Sequence, residues 1–84
     1  MKEIKVRDRG NGFLRIEEWG GGKKPETACY LRAGDIVGVM GTCESENEEP
    51  RTMISLRGGM YYTFHTTPGR LFQALEKYLT PNKQ

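Results

Sequence analysis

Eighty-four residues, 36% of them hydrophobic and 29% charged, suffice for one small core and are too few for two. Thirteen Lys and Arg stand against eleven Asp and Glu, a net charge of +2, which excludes a uniformly basic nucleic-acid binder and leaves any basic patch to local clustering. No apolar run approaches the roughly 20 residues that cross a bilayer, and Met1-Lys2-Glu3-Ile4-Lys5 lacks the apolar stretch of a signal peptide, so a cytoplasmic protein is expected.

Residues 2–9 place Ile4 and Val6 on one side and Lys5 and Arg7 on the other, the period-2 pattern of a half-buried strand. Gly10-Asn11-Gly12 tolerates positive φ and lets the chain reverse into a returning strand over 13–19. The core face of that strand is open between Leu14/Ile16 and Phe13/Trp19, because both pairs are apolar. Gly20-Gly21-Gly22-Lys23-Lys24-Pro25 reads as a mobile loop, since three glycines are costly to order and Pro25 removes a ladder donor. A short strand is expected over 27–31. After a turn at Ala33-Gly34-Asp35, another follows over 36–43, where Gly38 and Gly41 signal a bulge or a close approach by a second backbone. Residues 44–50 form an acidic loop closed by Pro50.

The segment 51–79 is the most explicit. Two alternating stretches flank Gly58-Gly59, and loop length decides which side chains share a face. A three-residue turn, Arg57-Gly58-Gly59, with Gly59 left-handed, aligns Ile54, Leu56, Met60, Tyr62 and Phe64 on one face and leaves Ser55, Tyr61, Thr63 and His65 on the other. Thr66 or Thr67 then caps a helix that has Pro68 in its first turn. Leu71, Phe72, Leu75, Tyr78 and Leu79 make its apolar stripe. Pro81 ends it, and a frayed tail over 81–84 follows a domain of residues 1–80.

Catalytic and metal chemistry find little footing. His65 is the only histidine, so no His-His metal pair exists, and Cys29 and Cys43 cannot fill a four-ligand zinc site. The two cysteines are expected reduced, with a disulfide left open by their spacing. The run Gly20 to Lys24 lacks the spacing of a phosphate loop and is followed by proline rather than a helix. No enzyme, cofactor or metal is therefore expected. Arg7, Arg15, Lys23, Lys24 and Arg32, with Tyr61, are the candidates for a basic and aromatic face of the kind that stacks single-stranded nucleic acid.

Residues 54–64, Ile-Ser-Leu-Arg-Gly-Gly-Met-Tyr-Tyr-Thr-Phe, followed by Thr67 and the helix over 71–79, resemble the C-terminal part of the small FlbD-type flagellar proteins. That resemblance covers about a third of the chain and implies an accessory role without catalysis. The stretch 33–41, Ala-Gly-Asp-Ile-Val-Gly-Val-Met-Gly, is similar to the start of KOW-type motifs in small barrels that bind RNA and transcription proteins. Where that motif continues with small and basic residues, this chain has Thr42-Cys43-Glu44 and the acidic loop.

The expected fold is α+β: one twisted antiparallel sheet of about five to six strands with the C-terminal helix packed on one face. Ile4, Val6, Ile36, Val39, Ile54, Leu56, Tyr62, Phe64, Leu71, Phe72, Leu75 and Tyr78 are the expected core. One helix covers one sheet face, so the other face or an edge becomes the interaction surface, with Trp19, Tyr30, Arg57, Tyr61 and His65 as its contributors. The function expected is a small regulatory, inhibitory or accessory protein-binding module, of the size bacteria and their phages encode, with self-association as one way of hiding its strand edges. Single-stranded nucleic-acid binding is the competing class.

Overall fold

The computed structural model describes residues 1–41 and 49–79. In chain order these form β1 (Glu3–Gly10), β2 (Phe13–Trp19), β3 (Thr27–Arg32), a 3-10 turn (Ala33–Asp35), β4 (Ile36–Gly41), β5 (Thr52–Leu56), β6 (Tyr61–Phe64), α1 (Pro68–Leu75) and a closing 3-10 turn (Glu76–Tyr78). Cys43, the acidic residues of the 44–50 loop up to Glu48, and the tail expected over 81–84 lie outside the described residues.

The strands are all antiparallel but form two sheets, β1-β2-β3 and β4-β5-β6, not the single sheet the sequence suggests. The physical reason lies between β3 and β4. There the 3-10 turn redirects the chain, so these consecutive strands do not pair. One short helix cannot cover six strands, and dividing the sheet lets each half bury the apolar face of the other. Leu14, Ile16 and Leu31 from the first sheet meet Ile54 and Phe64 from the second and Leu71 and Leu75 from α1 in one buried cluster.

Pairing resolves the face of β2 left open above. Leu14 and Ile16 point inward, and Phe13 and Trp19 belong to the outer face. Gly10, Asn11 and Gly12 all take positive φ at the β1–β2 reversal. The β5–β6 hairpin has the three-residue turn: the Leu56 N–H donates to the Met60 carbonyl at 2.7 Å, and Gly58 and Gly59 have φ of 93° and 94°. The glycine signals in β4 are also explained. The ladder is bulged between Ile36 and Gly38, while a Cβ on Gly41 would collide with the Arg51 carbonyl and the Thr52 Cα.

Thr67 is the helix cap, its hydroxyl accepting from the Arg70 N–H at 3.3 Å. One residue expected in the core, Phe72, is exposed, and so is Met60, expected to share the apolar face of the hairpin. Phe72 lies about 100° around the helix from Leu71, at the margin of the stripe, and keeps 46% of its surface. Met60 sits in the turn just before β6 and keeps 62%. Ile4, Val6, Ile36, Val39, Leu56, Tyr62 and Tyr78 are partly buried, packed against the cluster rather than within it.

Two contacts join the sheets at a corner. The Lys2 N–H donates to the His65 carbonyl at 2.8 Å, and the carboxylate of Glu18, buried on the inner side of β2, receives the His65 N–H at 2.6 Å. Glu18 also accepts from the Thr27 hydroxyl at 2.7 Å, and His65 Nδ1 lies 3.2 Å away. Burial raises the Glu18 carboxyl pKa, but the His65 N–H, the Thr27 hydroxyl and the His65 ring outweigh it and hold the group below its usual range.

Candidate functional site

Strand pairing places the candidate residues before any side chain is considered. On the outer face of the first sheet, Arg7 lies opposite Arg15, which lies opposite Tyr30; Lys5 lies opposite Glu17; Phe13 lies opposite Arg32; and Glu3 lies opposite Trp19. Cross-strand neighbours on one face are close enough to interact, and these form a continuous network around Glu17. Its carboxylate receives Arg15 Nε at 2.7 Å, Trp19 Nε1 at 2.9 Å and Arg7 Nε at 3.2 Å. Those donors, Arg15 first and Trp19 next, pull the Glu17 carboxyl down to about 2.

The aromatic rings of this face already carry cations of the same chain. Arg15 donates to the Tyr30 hydroxyl at 2.8 Å and lies 5.4 Å from its ring centroid; Arg32 lies 4.9 Å from the Phe13 ring and Lys5 4.3 Å from Trp19. The face is thus ordered and internally satisfied, with its cations partly neutralised by Glu17.

The outer face of the second sheet has the opposite character. Met40 lies opposite Met53, which lies opposite Thr63, and Gly38 lies opposite Ser55, which lies opposite Tyr61. Met40 and Tyr61 each keep 60% of their surface, and with Met53, Arg51 and Thr63 they border a shallow hollow of about 500 Å³. Exposed large apolar side chains gathered in one place mark interaction sites more reliably than scattered ones.

The five residues expected to bind a partner therefore do not converge. Trp19 and Tyr30 are on the first sheet, Tyr61 is on the second, and Arg57 is at the β5–β6 turn, 3.6 Å from the Asp35 carboxylate. His65 is at the sheet corner, beside Glu18. Of the nucleic-acid candidates, Arg7, Arg15 and Arg32 share one face, Lys23 and Lys24 lie in the exposed β2–β3 loop, and Tyr61 stands apart. Phe13 and Glu17 were legible once Leu14 and Ile16 pointed inward, because β2 alternates, and Lys5 was legible from the alternation of β1. Met40 and Met53 become neighbours only through the β4–β5 register.

One hollow of about 320 Å³ brings Cys29, Glu18, His65 and Thr27 to a common lining. The combination of thiol, imidazole and carboxylate suggests nucleophilic chemistry, but burial, aided by the Glu18 charge, pushes the Cys29 thiol up to about 11. It remains protonated at neutral pH, the opposite of an activated nucleophile. Among the described residues, no three His, Cys, Asp or Glu side chains group to hold a metal ion, and no helix is long and apolar enough to cross a membrane. Compared with protein-family models, with curated proteins and with solved structures, the chain shows no match.

Proposed function

We propose that the chain is a small, non-enzymatic protein-binding module that docks through the outer face of the β4-β5-β6 sheet, in a regulatory, inhibitory or accessory role. The observation that carries this reading is the Met40, Met53 and Tyr61 cluster, which no described element covers. Methionine adapts its shape to a partner surface, and tyrosine supplies a large, stiff contact with a polar tip. The test compares partner capture from the native cell by the wild type and by Tyr61→Asp and Met40→Lys, with light scattering to read self-association. Proteins retained by the wild type and lost by both variants support the reading; retention by folded variants refutes it. A dimer dissociated by the same substitutions identifies a second copy as the occupant.

A second reading, single-stranded nucleic-acid binding, is favoured by the gathering of Arg7, Arg15 and Arg32 with Phe13, Tyr30 and Trp19 on one face. It stands second because the ring faces already carry cations of the chain and two of the guanidiniums are paired with Glu17. Fluorescence anisotropy with short RNA and DNA strands over a salt series tests it. Affinity must fall steeply with salt and weaken in Arg32→Glu; absence of binding at low salt removes the reading.

A further inference from the structure

The β4 strand is an edge of the second sheet, and the hydrogen-bond pattern shows which of its backbone groups are spent. The bond from the Leu56 N–H to the Met60 carbonyl makes that couple a hydrogen-bonded pair, and such pairs recur at every second residue of an antiparallel ladder. Ile54 therefore exchanges its bonds with Tyr62, while Met53 and Ser55 turn theirs toward β4. Their partners there are Met40 and Gly38. Val39 and Gly41 consequently aim their N–H and C=O groups out of the sheet, and among the described residues no strand pairs with that edge.

Beside this edge runs a groove of about 430 Å³ between β4 and α1, bordered by Ala33, Ile36, Val37, Val39, Phe72 and Leu79 together with two glycines. No described residue lining it is charged. Val37 keeps 62% of its surface and Phe72 46%, although both are large and apolar. Natural edge strands are guarded by charge, proline, bulges or a covering element. The β1 edge is contacted at the Val6 carbonyl by the Tyr78 hydroxyl, 3.4 Å away, and Lys2, just before the strand, bonds to His65. Across Ile36–Gly41 the sequence Ile-Val-Gly-Val-Met-Gly has neither charge nor proline, and among the described residues its one guard is the bulge at Val37.

We propose that this groove binds an extended, uncharged segment of a protein partner, which adds as a strand to β4 and lays apolar side chains on Phe72 and Leu79. The outward groups of Val39 and Gly41, which no described strand pairs, match an extended backbone, and the uncharged described lining selects the side chains. A second copy pairing through its own β4 is the competing occupant, and the oligomeric state separates it from a partner segment. The proposal rests on the protein-binding reading but uses a different surface from the Met40, Met53 and Tyr61 face.

The probe is a phage-displayed library of unstructured dodecapeptides, selected on the immobilised full chain, with enriched peptides resynthesised for titration. Peptides lacking charge and proline in their central residues should be enriched, and N-methylation of alternate backbone nitrogens should abolish binding while the intervening positions tolerate it. Phe72→Asp and Val37→Lys, each at an exposed position and checked for fold by circular dichroism, should weaken binding by at least about tenfold, with Tyr61→Asp close to wild type. Failure to enrich any peptide overturns the proposal, as does binding that is indifferent to N-methylation or to both groove variants. Loss in Tyr61→Asp alone overturns the groove while supporting the outer face. A wild-type dimer that Phe72→Asp dissociates makes the occupant a second copy and overturns the partner-segment proposal.

Discussion

Replacing Glu18 by Gln tests whether one buried carboxylate fastens the two sheets. Its two oxygens take the His65 N–H at 2.6 Å and the Thr27 hydroxyl at 2.7 Å. Hydrogen bonds to a charged group contribute about 1.5–3 kcal/mol each, against about 0.5–1.5 for neutral pairs. Glutamine keeps the shape and one acceptor, and it relieves the cost of burying a charge, so the net loss is about 1–2 kcal/mol at neutral pH. For a domain of this size that lowers Tm by roughly 4–16 °C. The pH dependence gives a sharper check. The folded-state pKa of Glu18 lies below its ordinary 4.5, so its stabilisation is fully present above that pH and is lost as pH falls through the lowered value. Urea unfolding followed by circular dichroism should therefore show the gap between wild type and Glu18→Gln narrowing below pH 4.5. An equal gap at neutral and acid pH, or no gap at all, refutes the reasoning.

The remaining expectations follow from burial. Ile54 is fully buried between Val39 and Tyr62, and Ile54→Ala should cost about 2–5 kcal/mol in urea unfolding. Among the described residues the Thr66 hydroxyl is buried without a hydrogen-bond partner, so Thr66→Val should be stabilising by about 1 kcal/mol, read as a higher denaturation midpoint at unchanged slope. With its pKa near 11, Cys29 should react slowly with iodoacetamide near neutral pH in the native protein, and unfolding in urea should accelerate the reaction; mass spectrometry of the Cys29 peptide reads both rates.

Local patterns were legible where short-range physics decides them. The left-handed residues at Gly10-Asn11-Gly12, the Arg57-Gly58-Gly59 turn, the Pro68 start of the helix and the inward alternation of Ile54 and Phe64 are each set by neighbours a few residues away. The candidate surfaces were only half legible. Arg7 and Arg15 each announce a solvent-facing strand position, but nothing local says that Glu17 will bind both guanidiniums, since that requires β1 to lie against β2 in one register.

Sequence by itself thus determined six strand segments, their turns and a capped amphipathic helix, because alternation, glycine conformation and capping act within a few residues. Tertiary structure alone decided that the strands divide into two sheets, that Glu18 turns inward to meet His65 across 47 residues of chain, and that Phe72 and Val37 remain at the surface beside an edge that no described strand pairs. Those outcomes depend on which apolar faces find one another, a competition over the whole chain that no window of neighbouring residues contains.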